Sequence, residues 1–143
     1  MVEIRRADDE QHRERILSVL GAHAEAAGHP FTMEEIALEA RDGETWRGGI
    51  TAKMGGHWVY VEFLAVAEIA RGTGVGAQLM RAVEARARQA GRIGIWVDTF
   101  TFQAPGFYER LGYECFGRID DYPPGSARHF YCKRLDLAAE ETE

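Results

Sequence analysis

The chain has 143 residues, 45% hydrophobic and 28% charged, with a net charge of −6, which is enough to bury one ordinary core without disulfides or metals. The acidic balance argues against nucleic acid or an anionic membrane as partner, because binding to either relies on clustered Lys and Arg. No segment reads as a secretion signal or an apolar run of membrane length, so a cytoplasmic protein is expected. Cys115 and Cys132 are expected to be reduced, buried and unpaired.

In chain order, VEIRRA at 2–7 alternates Val2 and Ile4 with polar residues and predicts a short strand running into Asp8 and Asp9 as a helix cap. The helix that follows carries Ile16, Leu17, Leu20 and Ala24 on one stripe and ends at GHP, 28–30. TMEE at 32–35 fits a capping box, but Ile36, Leu38 and Ala40 alternate ahead of Asp42-Gly43, so a strand from about 36 is predicted, after at most one helical turn. Two more antiparallel strands follow, TWRGGITAKM and HWVYVEFLAV, joined at Gly55-Gly56. From Gly74 to Ala90 the residues Val75, Leu79, Ala82, Val83 and Ala87 recur at helical spacing, with Gly91 as C-terminal cap. Arg81, Arg86, Arg88 and Arg92, interspersed with Glu84, read as a solvated face of that helix. RIGIWVDTF then predicts a strand parallel to HWVYVEFLAV, and a helix is expected at 104–111 with Gly112 as its stop. Two final strands, YECFGRI and RHFYCKRL, are linked by DDYPPGSA. The order is β-α-β-β-β-α-β-α-β-β in one α+β domain at 1–136, with an acidic tail at 137–143 expected to be disordered.

The segment ARGTGVG, starting at Ala70, carries the strongest chemical signal. Its alternate glycines at 72, 74 and 76 let backbone amides approach an anion at a helix N-terminus, and Arg71 adds a formal charge at the same mouth. A dinucleotide-binding unit is the rival reading, with Gly72, Gly74 and Ala77 as GxGxxA and Asp98 as the ribose-binding acid. AEIAR, however, separates the strand end at Val66 from the turn, and only one further parallel strand follows. The Gly-Lys-Ser/Thr of a P-loop is missing as well.

LAVAEIARGTGVG resembles the signature of the GNAT superfamily of acyl-CoA N-acyltransferases, with Arg71, Gly74 and Gly76 in its Arg/Gln-x-x-Gly-x-Gly/Ala slots after the strand Leu64-Ala65-Val66. A second family segment, AxxFYxxxGY, matches as Ala104, Phe107, Tyr108, Gly112 and Tyr113, and the topology agrees over nearly the whole chain. Family members often carry Asn where this chain has Thr101. The resemblance implies a GNAT-like central mixed sheet with helices on both faces and acetyl-CoA as co-substrate. It places the pantetheine arm along Leu64, Ala65 and Val66, with the pyrophosphate on Arg71, Gly72, Thr73, Gly74, Val75 and Gly76, and Thr101, Ala104 and Tyr108 on the cofactor side. It further implies direct attack of an amine on the thioester, a small-molecule amine acceptor and a homodimer; a non-catalytic acyl-CoA sensor and a protein N-acetyltransferase remain as alternatives.

Tyr108 falls in the slot of the family's general acid, and a phenol with a reference pKa of about 10 is protonated at neutral pH. Glu62 is the first choice for the base because strand parity would put it on the same face as Leu64 and Val66, with Asp98 and His57 as alternatives. Glu62, Asp98, Asp120 and Asp121 are candidates to line an amine-binding cleft, with the DDYPPG loop as a lid. Trp46, Trp58, Trp96 and Phe100 either shape an apolar pocket there or fill the core.

Overall fold

The computed structural model describes residues 1–136; the expected acidic tail lies outside the described residues. The chain divides into two compact units, Met1–Thr32 and the remainder from Met33.

The first unit holds one helix, α1 (His12–Ala26). Asp9 accepts a hydrogen bond from the Gln11 amide at 2.7 Å and pairs with Arg15, so the acidic pair does mark the helix start. The predicted strand at 2–7 does not form. Residues 2–7 carry no regular secondary structure, and Val2 and Ile4 are 88% and 92% exposed. Two alternating apolar residues are too weak a signal to make a strand by themselves.

The second unit is a six-stranded mixed sheet built from β1 (Met33–Asp42), β2 (Thr45–Gly55), β3 (Trp58–Val66), β4 (Gly94–Phe100), β5 (Glu114–Asp120) and β6 (Ala127–Arg134). Its two helices are α2 (Val75–Gln89) and α3 (Pro105–Arg110), and a 3-10 turn spans Glu68–Ala70. Strand β1 begins at Met33 without a helical turn, because pairing of Met33 with Gly55 extends the hairpin past the capping-box residues. The β1–β2 turn is Gly43-Glu44, with Gly43 at φ +64°.

The sheet order is β1-β2-β3-β4-β6-β5, antiparallel except for β3 beside β4. The crossover through α2 makes that one pair parallel, as the strand-helix-strand pattern requires. Along β2, Ile50, Ala52 and Met54 point inward; on β4, Ile95, Val97 and Thr99 do the same. Leu79, Met80, Val83 and Ala87 of α2 close over them, and Tyr108 of α3 joins the same cluster, so both helices of this unit lie on one face.

Each helix stops by the same device. In α2 the Arg92 amide bonds Ala87 O at 2.9 Å and the Gly91 amide bonds Arg88 O at 3.0 Å, with Gly91 at φ +72°. In α3 the Tyr113 amide bonds Tyr108 O at 3.0 Å and the Gly112 amide bonds Glu109 O at 3.1 Å, with Gly112 at φ +92°. Both are Schellman motifs, in which a residue just past the helix commonly packs on the last turn. Tyr113 does so, its ring edge-on to Tyr108 at 6.0 Å between centroids. The FYxxxGY spacing is therefore a helix stop that fixes Tyr108.

Two expectations are corrected here. Glu84 is not on a solvated face: it is 4% exposed, accepts a 2.8 Å hydrogen bond from the Tyr113 hydroxyl, and lies 3.4 Å from Lys133 Nζ. The cysteines are free but not buried, since Cys115 sits exposed on edge strand β5 and Cys132 is half-buried on the sheet face away from the helices.

Candidate active site

Strands β3 and β4 pair only from Trp58–Gly94 to Tyr60–Trp96 and then separate. On its other side β3 carries a bulge: Ala52 faces Val61 and Thr51 faces Phe63, leaving Glu62 as the extra residue. The β4-facing backbone of Glu62–Val66 thus lacks a strand partner, and a bulge twists the strand away from its neighbour. The resulting cleft has a volume of about 960 Å³.

One end of the cleft is walled by Leu64, Ala65 and Val66 and by the glycine turn. Gly72 and Gly74 have φ of +78° and +89°, the left-handed region that a side chain makes costly. Gly76 is small for a different reason: a Cβ there would meet the Phe107 ring at 3.2 Å and Val66 at 3.4 Å, so its size lets α3 close against α2. The amides of Gly72, Gly74, Val75, Gly76 and Ala77 have no backbone acceptor, the first satisfied amide of the helix being that of Gln78, bonded to Gly74 O. Those free donors and the positive end of α2 favour an anion. Arg71, as expected, and Arg110, which sequence reasoning missed, both line this cleft without a carboxylate partner among the described residues. Arg110 comes from α3, and no spacing within the glycine motif signals it. Thr73 is exposed, its hydroxyl donating to Ala70 O, and is not a cleft wall.

Tyr108 lies in the middle of the cleft, 7% exposed, and its hydroxyl has no hydrogen-bond partner among the described residues. Burial, and next the Asp98 carboxylate, push its phenol up to about 12. Ala104 is a wall beside it, whereas Thr101 is not. The Thr101 hydroxyl instead accepts the Ala127 amide at 3.1 Å and lies 2.8 Å from His129 Nε2, so the loop end takes that side chain away from the cleft. Gln103 was not singled out; its Oε1 accepts from the Phe100 amide at 3.0 Å and from the Thr99 hydroxyl at 3.1 Å, tying β4 to the start of α3.

The other end holds Tyr60, Glu62, Phe63, Asp98, Phe100 and Arg128. The parity argument for Glu62 fails: the bulge puts Leu64 against the helix-side core, while Glu62 projects from the opposite face toward Thr51 Oγ1 and Lys53 Nζ, both at 3.4 Å. Glu62 still reaches the cleft, because the separation of the strands opens both faces to it. Asp98 is held by Arg128, Nε at 3.0 Å and Nη2 at 2.9 Å, and by the Tyr60 hydroxyl at 3.3 Å. Tyr60 and Arg128 carried no sequence signal, since each is defined by a partner on another strand.

Several candidates are elsewhere. His57 lies in the β2–β3 turn, at the paired end of β3 and not on the cleft. Asp120 pairs with exposed Arg118 at 2.7 Å, and neither it nor Asp121 is a wall. No residue of the DDYPPG loop, the expected lid, is a cleft wall, although its Tyr122 packs 5.3 Å from the wall residue Phe100. Trp58 and Trp96 line a separate apolar depression of about 430 Å³ with Phe116, Phe130 and Cys132, and Trp46 is half exposed, so of the four aromatic candidates only Phe100 borders the cleft.

The site is thus a split parallel strand pair, with an anion-seeking helix start at one end and a buried phenol between. Comparison with known proteins identifies the family. The acetyltransferase (GNAT) family pattern matches residues 3–113. A blasticidin-S acetyltransferase from Streptomyces morookaense is 46% identical over 89 residues, 62% of this chain and 65% of that protein, so the chain spans just under two thirds of that relative's length. An acetyltransferase from Agrobacterium fabrum is 31% identical over 66% of this chain and 69% of its own. Among solved structures, an acetyltransferase from Bacillus cereus superposes with a TM-score of 0.84 at 31% identity, covering 93% of this chain and 98% of that one. The chain belongs to the acetyltransferase (GNAT) family. No helix among the described residues is long and apolar enough to cross a membrane.

Proposed function

We propose that this protein transfers the acetyl group of acetyl-CoA to a primary amine of a small molecule by direct attack on the thioester. The observation that carries the reading is the cleft itself, with unpaired amides and guanidinium groups at one end, carboxylates at the other, and the free Tyr108 hydroxyl between them. The family match crosses both units, which supports treating residues 1–136 as one acetyltransferase domain.

Residues Arg71 to Gly76 take the pyrophosphate, chiefly through the Gly72, Gly74 and Gly76 amides, and the unpartnered edge of Leu64–Val66 takes the pantetheine as an added strand. A backbone amide of that edge stabilises the oxyanion, having little freedom left to lose. The amine nitrogen bonds to the acetyl carbon, the carbon–sulfur bond breaks, and Tyr108 gives its proton to the departing sulfur. The amine's proton leaves toward Glu62 through water, and solvent returns one to Tyr108.

The likeness to a blasticidin-S acetyltransferase supports blasticidin S as an acceptor to test. Released thiol is measured with acetyl-CoA and blasticidin S, spermidine, agmatine or a peptide with a free N-terminus. Acetylation of a small amine is expected; acetylation of the peptide alone overturns the small-molecule reading, and thiol from none overturns the enzyme reading.

Two variants probe the two ends. Gly74→Val places a β-branched residue at φ +89°, so KM for acetyl-CoA is expected to rise about tenfold while stability falls by about 1–2 kcal/mol. An unchanged KM in the folded variant would remove the turn from cofactor binding. Glu62→Gln is expected to lower kcat about tenfold or more, with KM for acetyl-CoA unchanged. An unchanged kcat would dismiss Glu62 as the base.

A further inference from the structure

At the acceptor end the cleft is bordered by aromatic rings that the fold leaves uncovered. The bulge in β3 projects Phe63 from the sheet face opposite α2, where it is 69% exposed although it sits in mid-sheet. On the facing strand the cleft wall Phe100 ends β4, and Phe102, which is not itself a wall, extends that ring surface by stacking on it at 5.3 Å with an interplanar angle of 12° while remaining 67% exposed. Covering a phenyl ring removes a large apolar area from water, so large rings left bare around a cleft end mark a ligand surface.

That surface is also held rigid. The Arg128 guanidinium lies 5.7 Å from the Phe100 ring centre and 5.4 Å from that of Tyr122, and is fixed in turn by Asp98 and the Tyr122 hydroxyl. Its charge is thereby spent on Asp98 and does not repel an incoming cation. Glu62, paired only at 3.4 Å, supplies negative potential beside the rings. A ligand matching these features carries a cationic amine and a flat ring.

We infer that the acceptor is an amine bearing a planar aromatic or heteroaromatic ring, with Phe63 and the Phe100–Phe102 pair as its specificity-determining residues. The inference rests on the acetyltransferase reading above. An aliphatic polyamine answers the carboxylates but leaves the rings uncovered.

The test compares kcat/KM for 2-phenylethylamine and 2-cyclohexylethylamine, which share chain length and amine and differ in the planarity of the ring. Spermidine and agmatine serve as ring-free amines. The wild-type protein is expected to prefer the aromatic amine about five- to tenfold. Phe63→Leu and, separately, the surface variant Phe102→Leu are expected to bring that ratio toward one, with KM for acetyl-CoA unchanged. Equal rates for the two ring amines, acetylation of spermidine or agmatine alone, or a preference that survives both variants overturns the inference and leaves the acetyltransferase reading standing. No thiol from any amine overturns that reading and the inference with it.

Discussion

Tyr108→Phe is expected to lower kcat about a hundredfold or more while leaving both KM for acetyl-CoA and the unfolding free energy nearly unchanged. The separation follows from geometry. The hydroxyl has no hydrogen-bond partner among the described residues, so its removal strands no group in the core. The ring, which packs against Phe107 at 5.0 Å and Tyr113 at 6.0 Å, is retained in phenylalanine. What disappears is the proton offered to the departing sulfur. Because burial and the Asp98 carboxylate push the phenol up to about 12, Tyr108 stays protonated across the neutral and mildly alkaline range. In the wild-type protein no loss of rate from its ionisation is expected below roughly pH 11. Steady-state thiol release from pH 6 to 10, together with urea denaturation of both proteins, checks each part. Wild-type turnover in the variant would take Tyr108 out of the mechanism.

The largest effect on stability is expected at Glu84, which is not a wall of the cleft. Glu84→Ala should cost about 3 kcal/mol, because it leaves a half-buried ammonium and a buried phenol without their shared acceptor. The Glu84 and Lys133 side chains are 6% and 24% exposed, and Lys133 keeps only its 2.9 Å hydrogen bond to Leu111 O. Burial, the largest cause holding the Tyr113 phenol above its ordinary range, persists in the variant, so that group cannot compensate by ionising. Leu111 and Tyr113 flank the stop of α3, and the loss should therefore also loosen Tyr108 and lower kcat modestly. Chemical denaturation of Glu84→Ala, Lys133→Met and the double variant measures the coupling. The double variant is expected to be more stable than the sum of the single losses predicts. A Glu84→Ala loss below about 1 kcal/mol would mean that the carboxylate is solvated after all.

The second unit was largely legible as a string of elements. Alternation drew β2 and β3, helical spacing and Gly91 bounded α2, and Gly112 ended α3. Gly72 and Gly74 were readable too, because a left-handed backbone position is a property of the residue that occupies it. The two family motifs came through intact for the same reason, each being a local turn or helix stop.

The sequence by itself therefore determined the conformation of short segments and the chemical groups they carry: the amide-rich start of α2, the phenol of Tyr108, the acids near the ends of β3 and β4. Tertiary structure decided which segments meet. It placed β6 between β4 and β5, drew Glu84 inward to Tyr113 and Lys133, and gave Gly76 the task of admitting Phe107. Above all it set a one-residue bulge at Glu62, which reversed the faces of every side chain after it and turned Phe63 outward. Periodicity and turn preference depend on residues within about four positions along the chain. Register, and the burial of a charge, depend on partners many residues away, and a period of two inverts completely on a shift of one.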